Sequence, residues 1–352
     1  MSKENLEVSK EVSTLITPPT RPRSGLNLLN MAEKAIQTRL DDLLKYEKRM
    51  HAGTDIEPLH DMRVASRRLR EALRIYAELF SQKRLKQGMR AVRRVTRALG
   101  LVREVDVNVE QLEAWRDELG EAYAIPLEYS LAMEQTRQRR LRKKMFARLD
   151  ELDMDELEAD ISKLLQHPHR DAQTTEGGDE GRGRGLPVIF ARRHIESGLG
   201  SILPCVARVS SRPTLHECHR LRIQVKKFRY SLELLSRAFD SHRALRILKQ
   251  LKLLQDELGT LHDSSVLHST VRSLRAELRK SGLSHLERHL LRLMRVLAVK
   301  QNTQRKRIGA HLRRLALLRF FERIPAALKE GPTSPAIQPA LVLHPTGDKA
   351  SA

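Results

Sequence analysis

Apolar residues recur three and four positions apart along most of this chain, and no stretch alternates apolar and polar residues long enough to demand a strand. The spacing of Leu28, Ala32, Ile36, Leu40, Leu43 and Leu44 predicts an amphipathic helix over residues 27–50, ended by a break between Gly53 and Pro58. Met62, Ala65, Leu69, Leu73, Tyr76 and Phe80 give the next helix, 59–80, an ordinary core face. Further helices are predicted over 83–99, stopped by Gly100, over 105–119 and 127–149, parted by Pro126, and over a short acidic segment, 155–166. After a glycine-rich stretch the pattern resumes over 187–203, 215–239 and 245–258, and then runs from 284 to 321 with Gly309 as a possible bend. The fold class is all-α.

The pattern occurs twice. Adding 159 to each number lays Ala32, Ile36, Leu40 and Leu44 on Ala191, Ile195, Leu199 and Leu203, and Leu69, Leu73 and Phe80 on Phe228, Leu232 and Phe239. The same offset brings Leu99 and Gly100 onto Leu258 and Gly259 without a gap. Copy one is assigned to residues 26–166 and copy two to 187–325, joined by a linker, 167–186, too rich in glycine and mixed charge for a packed core. A polar arm, 1–25, and a proline-rich tail, 326–352, are expected to be disordered or mobile. Repeated units complete their cores by stacking on one another. Two duplicated bundles with a pseudo-two-fold relation around a shared cleft follow as the expected architecture.

Opposite the core face of helix 59–80, His60, Arg63, Arg67, Arg70 and Arg74 lie within one narrow arc. Like charges at that spacing repel by a few tenths of a kcal/mol per pair on an isolated helix, so something must offset them. Solvent, acidic partners on a neighbouring helix and a polyanionic ligand would each serve. Repetition favours the ligand, because the 159 offset places His60 on His219, Arg63 on Arg222, Arg67 on Lys226, Arg68 on Lys227 and Arg70 on Arg229. Arg93 likewise meets Lys252, whereas Arg74 meets Glu233 and is the basic stripe position lost.

The spacing of that His-Arg pattern, followed by LGLVREVDV at residues 99–107, resembles the CHAD family, the conserved histidine α-helical domain. Glu104 stands where the family pattern has Asp, and the second copy reads LGTLHDSSV, with His262 in the place of Arg103 and Ser265 in that of Asp106. The resemblance spans roughly residues 27–325. It implies paired helical bundles that bind inorganic polyphosphate along a basic central cavity. The candidate site is then His60, Arg63, Arg67, Arg68, Arg70, Arg74, Arg93 and Arg103 from copy one, with His219, Arg222, Lys226, Lys227, Arg229 and Lys252 from copy two. Arginine forks suit phosphate oxygens, and the lysines supply compact charges at equivalent positions. Phosphate or sulfate ions are expected to occupy the same cavity. Family members often carry a CYTH triphosphatase with an ExExK signature, and no such strand-rich segment or motif occurs in this sequence.

Composition agrees with a polyanion partner: 65 Lys and Arg against 44 Asp and Glu give a formal charge of +21. Aromatic residues make up only 4%, which argues against a reader of single strands that stacks bases on aromatic platforms. Nucleic acid is therefore expected to bind weakly, and the alternatives are a helical nucleic-acid-binding protein or an accessory module to phosphate-polymer enzymes. The cysteines, Cys205 and Cys218, have no framework spacing, and no apolar run is long enough to span a membrane. A soluble cytoplasmic protein is expected, with polyphosphate granules as its place if the resemblance holds.

Catalytic chemistry finds little support. There is no P-loop, and His216, Cys218 and His219, or His285 and His289, supply at most half a metal site. Glu104, Asp106 and Asp263 are read as helix caps or partners of the basic stripes, with magnesium carried on the polymer as an alternative. The chain is read as a binding protein without cofactor or catalytic residues.

Overall fold

The computed structural model describes residues 27–52, 57–169, 186–239, 241–317 and 319–328. The expected arm, most of the linker and all but the first residues of the tail lie outside them. The segment read as copy one holds α1 (Leu28–Ala52), α2 (Glu57–Ile75), α3 (Gln82–Leu119), α4 (Ala124–Asp150) and α5 (Met154–Leu165). The segment read as copy two holds, with a residue or two beyond its bounds at either end, α6 (Leu186–Ser211), α7 (Leu215–Leu235), α8 (Ser241–Lys280), α9 (Ser284–Leu317) and α10 (Phe320–Ala327). The helix boundaries keep the sequence offset. The 3-10 turn Ala77–Leu79 after α2 returns 159 residues later as Ser236–Ala238 after α7, and α3 and α8 both begin one short step beyond it. Among the described residues the only bridge of strand type is the isolated pair Phe80 and Pro168. It ties the end of copy one back to the 3-10 turn, where the His169 amide donates to the Leu79 carbonyl at 2.9 Å.

Local chemistry sets several of the helix ends. Thr214 caps α7 by accepting the Glu217 amide, and Asp153 caps α5 by accepting the Glu156 amide. Gly120, at φ 70°, and Gly282, at φ 73°, lie just beyond α3 and α8, where the left-handed backbone favours glycine. The expected stop at Gly100 is corrected, since Gly100, like its repeat mate Gly259, lies inside a single long helix. Val95, Leu99, Val102, Val105, Val109 and Leu112 continue one buried face through Gly100. Each such side chain contributes about 1.5–3 kcal/mol on burial, well above the ~1 kcal/mol that one internal glycine costs. Pro204 is likewise accommodated inside α6, and Pro325 inside α10.

Two hydrophobic clusters hold the helices together, and neither respects the boundary between copies. The larger gathers Ile36, Leu69 and Val95 with Ile195, Phe228 and Leu254. The second joins the second half of α3 and the first half of α4, through Val105, Leu112 and Leu131, to Leu267, Val271 and Leu293 of α8 and α9. A buried polar group crosses this seam: the Asn108 amide donates to Glu134 at 2.8 Å and to Thr270 at 3.2 Å.

Close packing between α6 and α7 makes one position intolerant of a methyl group. A Cβ on Gly198 would stand 2.6 Å from Cδ2 of the Phe228 ring, while one on Gly200 would meet nothing within 4 Å. Gly198→Ala is expected to destabilise the protein by about 1–3 kcal/mol through overpacking, despite better helix propensity. Gly200→Ala should be neutral or stabilising by up to about 1 kcal/mol. Urea midpoints of the two variants test this, and the reverse ranking would contradict the packing described.

Candidate polyanion-binding site

The core faces of α2 and α7 bury Leu69, Leu73, Phe228 and Leu232, and this burial fixes where the opposite, basic faces point. They point at each other. The Arg67 guanidinium lies over the ring of Tyr230 on α7, 5.9 Å from its centroid, and Arg74 donates to the Ser231 hydroxyl at 3.4 Å. Arg63 and Arg67 of copy one lie within electrostatic reach of Arg222 of copy two, and Arg103 of α3 joins them. Arg103 has a distant carboxylate, Glu110, at 3.8 Å. Arg63, Arg67 and Arg222 have no ion-pair partner among the described residues.

The energetics of this cluster show in its proton affinities. Burial lowers the Arg63 pKa to about 10, with repulsion from Arg67, Arg103 and Arg222 adding to it. Arg67 is lowered by burial and by the charges of Arg222, Arg70 and Arg229. Burial also lowers Arg222, while Asp263 on α8 works in the other direction. Half-buried cations that repel one another without an ion-pair partner make a site that an anion would relieve.

Histidines border the cluster in both copies. His60 is pushed down by burial and then by Arg103 and Arg63, with Asp61 and Glu110 opposing. Its repeat mate His219 faces His262, the mate of Arg103, with their Nδ1 atoms 3.2 Å apart. Burial, Arg222 and His219 hold His262 down to about 4. Burial raises the carboxyl of neighbouring Asp263 even though Arg222 and Arg103 pull against it.

The other candidate residues are placed differently. Arg74 is tied to Glu71 at 2.6 Å, and Arg229 to Glu233 at 2.8 Å and to Gln255 at 2.9 Å. The basic stripes are therefore neutralised towards the C-terminal ends of α2 and α7 and unpaired towards their N-terminal ends. Arg70 reaches the cluster through its repulsion of Arg67. Arg68 lies against α1, beside Arg39 and Tyr46, with its Nε buried and unpartnered. Lys252 pairs with Asp256 at 3.5 Å. No hydrogen bond or ion pair among the described residues ties Arg93, Lys226 or Lys227 to the cluster. Asp263, read from the sequence as a cap or a partner of the basic stripes, stands within electrostatic reach of Arg222 and Arg103, whereas Tyr230 and His262 are not among the expected ligand-binding residues. The signal for His262 and Asp263 was their register with Arg103 and Glu104; the signal for Tyr230 was its departure from Glu71.

Beyond His219 and His262 a cleft of about 990 Å³ opens between α4 and the pair α7 and α8. Its lining is mixed, since Glu104, Glu134 and Glu277 share it with Arg137 and Arg140. Asp106 is held by Gln138 at 2.7 Å and Arg142 at 3.1 Å, a structural pairing. Among the described residues no three His, Cys, Asp or Glu side chains group as a metal site, and no helix is long and apolar enough to cross a membrane.

The fold is shared with solved structures of low sequence identity. The CHAD domain from the plant Ricinus communis matches with a TM-score of 0.61 and 22% identity, over 82% of this chain and 92% of that one. PptA from Streptomyces chartreusis matches with a TM-score of 0.58 and 12% identity, over 83% of this chain and 99% of that one. No curated protein sequence matches. Among the described residues no CYTH domain accompanies the helical fold. The CHAD domain family model matches residues 34–272, well over half of the chain, and the chain belongs to that family.

Proposed function

We propose that this protein binds inorganic polyphosphate between α2 and α7 and does not consume it. The observation that carries this reading is the group Arg63, Arg67 and Arg222, contributed by both copies, half-buried and without ion-pair partners among the described residues. A polyphosphate chain is thin and flexible, with roughly one charge per internal phosphate and acceptor oxygens on all sides, so it can enter between two helices and neutralise several guanidinium groups at once. A DNA duplex presents its phosphates on a rigid surface whose major groove is itself about 12 Å wide, and it would reach the exposed cations before the half-buried ones. Free phosphate or sulfate would occupy the same cluster with fewer contacts. A cytoplasmic place on polyphosphate granules follows from this ligand.

Competition at physiological ionic strength tests the reading. Long-chain polyphosphate should displace labelled duplex DNA or RNA from the protein, and incubation with magnesium or manganese should release no phosphate. Nucleic acid outcompeting polyphosphate would favour the nucleic-acid reading. Multiple-turnover phosphate release that follows the protein through purification would make it an enzyme.

A further inference from the structure

The paired helices differ at one register position in a way that decides the charge of the site. The 159 offset places Tyr230 where copy one has Glu71. Glu71 accepts two hydrogen bonds from Arg74, at 2.6 and 3.0 Å, and so removes that arginine from the free charge of the stripe. Tyr230, only 8% exposed, instead offers a ring face. Arg67 of copy one lies 5.9 Å from its centroid and Arg229 of copy two 5.1 Å. The phenol is also within electrostatic reach of Arg63 and Arg222. A carboxylate at this position would stand among four arginines from both copies and cancel part of their charge. An aromatic face attracts a guanidinium through its quadrupole and leaves both the net charge and the N–H donors available to a ligand.

We propose that Tyr230 is a positioning residue of the polyanion site: its ring holds Arg67 across the seam between the copies without neutralising it. The inference rests on the polyanion reading above. It assigns the asymmetry between the copies a purpose, since one acid at this register is tolerated beside Arg74 and a second would fill the site from within.

Affinity for long-chain polyphosphate across a salt series separates positioning from charge. Tyr230→Phe keeps the ring and should bind within about twofold of wild type. Tyr230→Leu removes the ring face and should weaken binding roughly three- to tenfold with an unchanged salt slope, because no charge is altered. Tyr230→Glu should weaken binding by at least about tenfold and make the salt slope shallower by roughly one. Its unliganded thermal midpoint should be equal to or above that of wild type. Helicity controls for folding, and Tyr230→Met stands in if the leucine variant does not fold. Undiminished binding by the leucine or methionine variant, or an unchanged salt slope in Tyr230→Glu, overturns the role of Tyr230. Loss in Tyr230→Phe as large as in Tyr230→Leu overturns the ring-face assignment. If wild type itself ignores polyphosphate, the reading of the site falls, and this inference with it.

Discussion

Replacing Arg63 and Arg222 together by alanine should lower polyphosphate affinity by at least about a hundredfold while leaving the helices folded. Hydrogen bonds to charged groups contribute about 1.5–3 kcal/mol each, so either single change should weaken binding roughly ten- to hundredfold. The two arginines come from different copies and act on each other, so their effects need not add. Both affinity and salt slope should fall, the slope by about two in the double variant. The unliganded fold should lose nothing and even gain, because each substitution removes a half-buried charge that repels its neighbours. Arg288→Ala with Arg292→Ala, two exposed positions on α9, controls for loss of overall charge. An equal loss in that control would reduce the site to diffuse attraction. If Arg222→Ala alone left affinity intact and halved the stoichiometry, the stripes would be two separate sites.

Acidification should tighten polyphosphate binding while it weakens the free protein. His60, His219 and His262 all have pKa values depressed below the ordinary 6.5, first by burial and then by neighbouring charges. The groups facing them are Arg103, Arg63, Asp61 and Glu110 around His60, Arg222 and His216 around His219, and Arg222 and His219 around His262. In the free protein these depressed values mean that the unfolded chain binds more protons than the folded one. The stability they contribute is present above about pH 6.5 and is lost as pH falls towards the value of about 4 that His262 has in the fold. A bound polyanion reverses the local potential, raises these pKa values and draws protons in. Each proton taken up makes affinity rise by up to about tenfold per pH unit, so a gain of roughly ten- to a hundredfold is expected between pH 8 and 5.5. Calorimetric titrations in buffers of different ionisation enthalpy would count the protons, and His219→Asn with His262→Asn should flatten the profile. Proton release on binding, or a flat profile in wild type, would contradict this coupling.

The helices and the repeat were legible because both are properties of local spacing. Apolar residues at helical intervals marked α1 and α2 to within a few residues, and a single offset aligned His60 with His219 and Arg63 with Arg222. Punctuation was less reliable. Gly100 reads as a stop, yet Val102 and Val105 beyond it are buried on the same face as Leu99, and packing outweighs a glycine's local preference. The same limit applies to Pro204, which a sequence rule places at a helix end and the structure holds within α6.

Charge could be counted in the sequence but not allocated. Arg67, Arg68, Arg70 and Arg74 look alike along one helix, because what separates them lies on other helices. Only tertiary packing sets Arg68 against Arg39, gives Arg74 the Ser231 hydroxyl beside its own Glu71, and leaves Arg67 on the ring of Tyr230 facing Arg222. The sequence by itself determined an all-α chain with two copies of a basic stripe, since periodicity and register are fixed by the geometry of a single helix. Tertiary structure alone decided which of those cations stay unpaired, because desolvation and pairing depend on what stands opposite a side chain and not on what stands beside it in the chain.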